Sequence, residues 1–590
     1  MCGIIGYIGE KKAAPILIEG LKRLEYRGYD SAGLATVSPV LAVVKVVGKV
    51  AGLEAYKNTA GTLGIGHTRW ATHGEPSERN AHPHCSRMVA VVHNGIIENH
   101  EQLKRELSAE GVVFRSETDT EVLPHLISRA LHSGADSLET AVVSALAKID
   151  GAYAIAVASS DYPNELVAAC NSSPLVIGIG ERELYLASDE LALAGKVSAV
   201  VHVHDGEVVT LKRNGSYTFR GVALADVSAR LEEPALHEEI SKDGHAHFMH
   251  KEILEQPQTM RNVLAGRLRE GMPVTFGGLS SEIEGRLRDA RRVMLVGCGT
   301  SLFAAMAVRD LFERVSGVMC EAEQAAEFSY RSPILSSQDV VVGISQSGET
   351  ADTLKAMLLA KERHALCLGV TNRVGSTLSK RVRQGIYLHA GPEIAVASTK
   401  AFTAQATVLS LLALRVAELR GAAAPVWIQK GLGILPKLLQ ESLAEEERIK
   451  ALAYRHANAK RMILIGRGSG VALALEGALK VREVAYMDAH GLSAAELKHG
   501  TLALVEKGVP VIALMPQGRT GLREKMLSNL EEVKARGGDV LPFEAKPGLP
   551  EELVPIVLAP MVQLLAYHLG VARGVDVDRP RNLAKSVTVE

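Results

Sequence analysis

One phrase occurs twice in this chain, and that repetition limits its fold more than any other feature. Arg292-Val-Met-Leu-Val-Gly-Cys-Gly-Thr-Ser301 returns as Arg461-Met-Ile-Leu-Ile-Gly-Arg-Gly-Ser-Gly470. Gly343-Ile-Ser-Gln-Ser-Gly-Glu-Thr350 keeps the same register against Ala513-Leu-Met-Pro-Gln-Gly-Arg-Thr520. Each copy is an apolar run, a glycine-rich loop and a segment of helical period, the pattern of a strand feeding a helix in a doubly wound α/β layer. Two homologous lobes therefore lie in tandem, about 170 residues apart. They differ at one loop: the first carries Ser345, Ser347 and Glu349 where the second has Met515, Gln517 and Arg519, so only the first is equipped to hold a ligand there.

The preceding residues follow another pattern. Short β-branched runs at 88–92, 153–157, 166–169, 175–179 and 184–187, separated by turn residues, predict antiparallel sheet, and 13–24 and 121–132 predict helices. This part reads as α+β in stacked layers. A chain of 590 residues exceeds one hydrophobic core, and the expected division is a first domain at 2–225, a linker with connecting helices at 226–280, lobes at 281–425 and 445–575, and a tail at 576–590. The apolar segment 401–417 is broken by Thr403, Gln405, Thr407 and Ser410, which fits a buried helix of a globular domain. Neither a basic leader nor an 18-residue apolar run appears, so secretion and membrane insertion are not expected. With 66 basic and 67 acidic residues, the chain lacks the charge excess that binds nucleic acid. Six cysteines without paired spacing point to a reducing, cytoplasmic setting.

A cysteine at position 2 is chemically suggestive. Removal of Met1 would leave a thiol and an α-amine on one residue, and such an amine, with a reference pKa of about 7.7–8.0, suits a general base near neutral pH. The phrases Cys2-Gly-Ile-Ile-Gly6, Leu24-Glu-Tyr-Arg-Gly-Tyr-Asp-Ser-Ala-Gly33, His67-Thr-Arg-Trp-Ala-Thr-His-Gly74, His93-Asn-Gly95 and Glu117-Thr-Asp119 together resemble the class II, N-terminal-nucleophile glutaminases across the first domain. The resemblance implies a four-layer αββα fold in which Cys2 attacks the glutamine amide, and Asn94 with the Gly95 amide forms the oxyanion hole. It further implies that Arg69 clamps the glutamine carboxylate, Asp119 receives its ammonium, and Thr72, His73 and His82 line the site. Taken alone, Asn94-Gly95 is also a strong hairpin-turn signal, and Arg69 and Asp119 could form a surface ion pair; their occurrence in family order favours the site. His82-Pro-His-Cys85 lies within the resemblance and lacks a second ligand group at zinc-finger spacing, His245-Ala-His-Phe-Met-His250 sits in the expected linker, and no metal is expected.

In the first lobe, Ser345-Gln-Ser-Gly-Glu-Thr350 sits between an apolar strand and a helix starting near Ala351, where hydroxyls and helix N-terminal amides suit an anion. Single hydroxyls here would also serve as helix caps. With Cys298-Gly-Thr-Ser301, the loop resembles the sugar isomerase (SIS, flavodoxin-like) domains of phosphosugar-binding proteins. That likeness implies that Ser301, Ser345, Gln346, Ser347 and Thr350 hold a sugar phosphate, with Thr300 and Ser398 nearby.

In the second lobe, Glu476, Lys480 and Glu483 share one helical face, a pattern that more often marks a solvated, salt-bridged surface. Together with Glu496-Leu-Lys-His-Gly500 and the tail Asp576-Val-Asp-Arg-Pro-Arg-Asn-Leu-Ala-Lys-Ser-Val-Thr-Val-Glu590, the ensemble resembles the glucosamine-6-phosphate-forming amidotransferases over nearly the whole chain. The implied substrates are L-glutamine and D-fructose 6-phosphate, without an organic cofactor. His499 would open the sugar ring, Lys585 would form a Schiff base at C2, and Glu483 would move a proton between C1 and C2, supported by Lys480 and Glu476. Trp70 would gate ammonia on its way to a sugar site covered by the tail. The family also implies a homodimer in which His499 serves a neighbouring subunit. Thr501 stands where proline is expected after His499-Gly500, which leaves the backbone of that loop open. Two other readings remain: a class II amidotransferase acting on a phosphoribosyl substrate, and a non-catalytic sugar-phosphate sensor, which would not need Cys2, Arg69 and Asp119.

Overall fold

A computed structural model describes residues 2–70, 74–171, 173–234, 241–423, 425–517 and 521–588. Its internal contacts divide the chain into two units, Met1–Ile240 with Ser586–Val589, and Ser241–Lys585 with Glu590.

The first unit holds a seven-stranded sheet in the order 199–203, 175–179, 184–187, 3–8, 63–69, 31–38, 40–47 and a six-stranded sheet in the order 217–219, 208–212, 165–171, 151–159, 89–97, 84–86. Neighbouring strands in both are antiparallel. The alternation of side-chain size explains the layering. Ala90, Val92, Ala154, Ala156, Ala158, Leu166 and Ala168 point from the second sheet to the first, meeting Ile4, Ile8, Ala35, Val37 and Ile65. Val91, Ile155, Val157 and Val167 point the other way, onto helices Leu138–Leu146 and Val122–His132. The outer face of the seven-stranded sheet packs on helix Ala13–Leu24 through Leu17, Ile18, Leu21 and Leu24, spaced three and four residues apart as one helical stripe requires. A Cβ on Gly20 would lie 2.9 Å from Ile5, so the helix sits as close to the sheet as a glycine permits. These are the four αββα layers.

The second unit contains two parallel sheets. The strands of one run 319–324, 292–297, 339–345, 366–371, 385–387, and those of the other 488–493, 461–466, 510–514, 539–543. Both place their first strand between the second and third, and the second sheet stops one strand earlier. Strand Asp339–Ser345 is buried on both faces, with Val340, Val342 and Ile344 in one core and Val341 in another, as the continuous apolar run of a parallel strand demands. The strand order changes direction between Arg292–Gly297 and Asp339–Ser345, and crevices for ligands open at the carboxyl ends of such strands. The loops Cys298–Ser301 and Ser345–Thr350 leave from those ends.

Helices Lys400–Leu419 and Glu551–Ala572 are long and apolar enough to span a bilayer, but 83% and 94% of their apolar windows are buried inside the protein, as core helices are. Helices Phe248–Leu254 and Gln256–Leu264 add Met249, Ile253, Met260 and Val263 to the same core. The Phe248 and Met249 amides donate to the Asp578 carboxylate at 2.9 and 2.8 Å, tying this segment to the chain's last stretch. The histidines here form a polar cluster: His250 and His568 both place Nε2 on Glu446 Oε1, at 2.7 and 3.0 Å, and His250 stacks on Tyr567.

Candidate active site

In the first unit, Cys2 immediately precedes strand Gly3–Ile8 and is half-buried. The Trp70 N–H donates to its Sγ at 3.3 Å. Its carbonyl accepts from Asn94 Nδ2 at 3.1 Å and from Arg27 Nε at 3.2 Å. Arg27 is itself fixed by a buried ion pair with Asp189 at 3.0 Å. Burial pushes the Cys2 thiol up, while the Trp70 amide and the Arg69 charge pull it down.

Asn94 and Gly95 do not form a hairpin turn. Both lie within strand Val89–Ile97, paired with Ala154 and Tyr153 of the neighbouring strand. Gly95 has φ +137°, and a Cβ there would lie 1.9 Å from the Ala152 carbonyl oxygen, so close passage of the backbone requires glycine. The Asn94 amide is oriented from behind. His67 Nε2 lies 3.0 Å from the His93 carbonyl and 3.2 Å from Asn94 Oδ1. Burial lowers the His67 pKa to about 3. With two oxygen acceptors on Nε2, the neutral ring carries its proton there, leaving Asn94 Nδ2 to face Cys2. His82 stacks on His67 with ring centroids 4.0 Å apart and accepts the His93 N–H at Nδ1.

Arg69 ends strand Leu63–Arg69, is 3% exposed, and donates to the carbonyls of Gly74 and Glu75. Asp119 is 5% exposed and accepts the Ile97 N–H at 2.8 Å. The surface ion-pair reading of these two does not hold, since both are buried. Trp70 is half-buried, edge-on to Tyr29. Thr72 and His73 lie outside the described residues.

In the second unit, Ser345 ends its strand and its hydroxyl organises the following loop, accepting the Gly348 N–H at 3.0 Å and pairing with the Thr350 hydroxyl at 2.8 Å. Ser347 accepts the Glu349 N–H, and the Gln346 carbonyl accepts the Asn372 N–H. Thr350 precedes helix Ala351–Glu362. Thr300 and Ser301 open helix Thr300–Ser316, and Ser301 accepts from Gln405 Nε2 at 3.0 Å.

The acidic and basic face of helix Gly470–Ala485 is not solvated. Glu476 and Lys480 have essentially no exposed side chain, and Lys480 Nζ lies 2.6 Å from Glu483, 3.6 Å from Glu476 and 3.1 Å from the Thr300 hydroxyl. This face thus meets the Cys298–Ser301 loop of the first lobe. Burial raises the Glu476 pKa to about 7 even though Lys480 pulls it down. Lys585 is no mobile terminal lysine: its side chain is 2% exposed, and Nζ donates to Glu393 at 2.5 Å and to the Ser398 hydroxyl at 3.3 Å. Ser398 also donates to Glu393, which accepts the Thr399 and Ala401 amides as well.

His499 stands apart. It is exposed at the end of the 3-10 turn Ala494–His499, and among the described residues no hydrogen bond or ion pair joins it to Glu483 or Lys585. The turn that follows, Thr501–Leu504, accommodates threonine at its first position.

His67, Arg27 and Glu393 shape these sites but drew no role from the sequence. His67 and Arg27 lie inside the phrases that carry the resemblance, whereas Glu393 is 192 positions from the lysine it holds and offers no local signal.

A glutamine amidotransferase domain model matches residues 67–195, and a SIS domain model matches residues 286–415 and 457–550. Full-length relatives include glutamine--fructose-6-phosphate aminotransferases (isomerizing) from Chlorobaculum tepidum, 45% identical, and Shigella flexneri, 42% identical, each aligned over 100% of both chains. Among solved structures, the C-terminal domain of glucosamine-fructose-6-phosphate aminotransferase from Francisella tularensis aligns with a TM-score of 0.55 and 32% identity, covering 57% of this chain and 100% of that one. With 45% identity sustained from end to end, this chain belongs to the glutamine--fructose-6-phosphate aminotransferase (isomerizing) family.

Proposed function

We propose that the chain transfers the amide nitrogen of L-glutamine to D-fructose 6-phosphate and isomerises the product to D-glucosamine 6-phosphate, releasing L-glutamate. The observation that carries this reading is the presence of two chemistries in one chain: a cysteine backed by an oriented asparagine, and two buried lysines, Lys480 on the Thr300 hydroxyl at a strand switch point and Lys585 on the Ser398 hydroxyl.

In the first half-reaction, the Cys2 α-amine takes the thiol proton, the thiolate attacks the glutamine amide carbon, and the same proton is passed to the departing nitrogen. Asn94 Nδ2 and the Gly95 N–H receive the developing oxyanion, donors of a kind whose single loss typically costs about 2.7–4 kcal/mol. Collapse expels ammonia and leaves a thioester that water hydrolyses to glutamate. Arg69 and Asp119 hold the two charged ends of the amino acid, a bidentate task for the guanidinium. By the family likeness Thr72, His73 and His82 are assigned to the same glutamine site, and Trp70 acts as a gate for the released ammonia.

In the second, Ser301, Ser345, Gln346, Ser347 and Thr350 bind the phosphate, with Thr300 and Ser398 beside the sugar. The neutral Lys585 amine adds to the C2 ketone of the open chain and loses water to give an imine, and ammonia displaces the lysine. Glu483 then takes a proton from C1 and returns it to C2, turning a ketose imine into an aldose amine. Lys480 and Glu476 fix Glu483. The exposure of His499, which has no hydrogen bond or ion pair to Lys585 among the described residues, supports a homodimer in which it opens the ring of a sugar bound by the other copy. Six free cysteines support a cytoplasmic setting.

Incubation with glutamine and fructose 6-phosphate should yield glutamate and an amino sugar phosphate in equal amounts. Glutamate without amino sugar would point to a different acceptor, and neither product would favour a sensor.

A further inference from the structure

Glu252, on helix Phe248–Leu254, has no part in the steps above, yet it is 2% exposed and lies against the lysine site. Its Oε1 accepts the Ile394 N–H at 2.5 Å and the Ala395 N–H at 3.3 Å. Those are the two residues that follow Glu393 on the way to Ser398, the pair that holds Lys585 Nζ. Its Oε2 is buried and has no hydrogen-bond partner among the described residues.

On the reading that Lys585 is the imine-forming residue, we propose that Glu252 is a positioning residue for the sugar reaction, tying down the 394–395 backbone so that Glu393 and Ser398 converge on Lys585. The ionisable groups facing it are Glu393, Lys585 and Lys400, the last paired with Glu255 at 2.7 Å. Burial, and then the Glu393 charge, push the Glu252 carboxyl up to about 8 against the pull of Lys585 and Lys400. The protonated acid leaves one carboxylate, Glu393, for one ammonium. Ionisation would add a second negative charge beside Lys585 and favour its ammonium form, which has no lone pair to attack a carbonyl.

The test uses the full-length enzyme with fructose 6-phosphate at a fixed concentration of free ammonia. Wild-type kcat should fall as the pH rises through about 8. E252Q keeps an acceptor oxygen but cannot ionise, and should move that limb upward by ~1 pH unit or more. E252A loses the backbone anchor and should lower kcat about 10-fold or more at every pH. Glutamine hydrolysis at Cys2 should persist in both and reports folding. An alkaline limb in E252Q that coincides with the wild type, or a wild-type kcat in E252A, would overturn the proposal; if E252A fails to fold, the E252Q profile alone decides. Borohydride separates this inference from the reading beneath it: hydride addition to the imine fixes the sugar on Lys585 as a secondary amine. Failure to trap that adduct in the wild type would remove the imine reading itself, whatever Glu252 does.

Discussion

His67 Nε2 sits 3.2 Å from Asn94 Oδ1 and decides which way the Asn94 amide faces. Because burial holds this imidazole neutral down to about pH 3, its Nε2–H is a fixed donor throughout the range in which the enzyme would be assayed. Asn94→Ala should lower glutamine hydrolysis about 10²–10³-fold, while ammonia-driven synthesis survives. His67→Leu removes only the orienting donor and should fall short of that loss, with His67→Gln recovering part of the activity. Comparing glutaminase and ammonia-dependent rates for the three variants checks the assignment; equal loss of both activities would contradict it.

Gly348 has φ +68°, and a Cβ there would lie 2.2 Å from Ser376 Oγ. Gly348→Ala therefore combines a left-handed backbone with a clash inside the Ser345–Thr350 loop, a strain of about 1–3 kcal/mol. The resulting shift would pull the Gly348 N–H from the Ser345 hydroxyl that accepts it. The KM for fructose 6-phosphate should rise more than 10-fold, with glutamine hydrolysis unaffected. An unchanged KM would show that the phosphate does not depend on this turn.

Lys480 is enclosed by Glu476 and Glu483 with 1% of its side chain exposed. Removing one member of a buried ionic group strands the others, typically at about 3–5 kcal/mol. Lys480→Met should thus lower the thermal midpoint of the second unit markedly, and synthesis with it. Double replacement, Lys480→Met with Glu476→Gln, should restore part of the stability and none of the synthesis, which separates packing from chemistry.

Much of this was legible in the sequence because it is local or repeated. Helix Ala13–Leu24 and strands Leu175–Ile179 and Leu184–Ala187 match the ranges read from the sequence, since the helix buries one apolar stripe and the strands, apolar throughout, bury both faces. The duplicated strand–loop–helix phrase predicts both parallel sheets and the loop where Ser345 and Thr350 meet. Asn94-Gly95 misleads if read locally: its turn propensity yields to nine residues of strand pairing, and the glycine serves a close approach to Ala152. The face formed by Glu476, Lys480 and Glu483 reads as solvated because periodicity cannot tell water from a second lobe. Glu393 and Glu252 were illegible, since their meaning lies in long-range pairing with Lys585 and with the backbone beside it.

Glu476 supplies a pH signature of its own. Its folded pKa is raised from the ordinary 4.5 to about 7, by burial first and by Glu483 next, against the pull of Lys480. The folded state therefore holds this proton more tightly than the unfolded chain. The sign follows from linkage: the contribution is fully present below about pH 4.5 and is lost as the pH rises through about 7. Glu252, another buried carboxyl, is pushed up to about 8, so the informative quantity is the difference between wild type and Glu476→Gln. Glutamine cannot ionise and keeps the shape of the protonated acid. Denaturant unfolding of the full chain at several pH values should show the variant gaining on the wild type as the pH passes from about 5 to about 8, the range that brackets the shifted carboxyl. A constant difference across that range would mean that Glu476 stays charged in the fold and that Lys480 outweighs its burial.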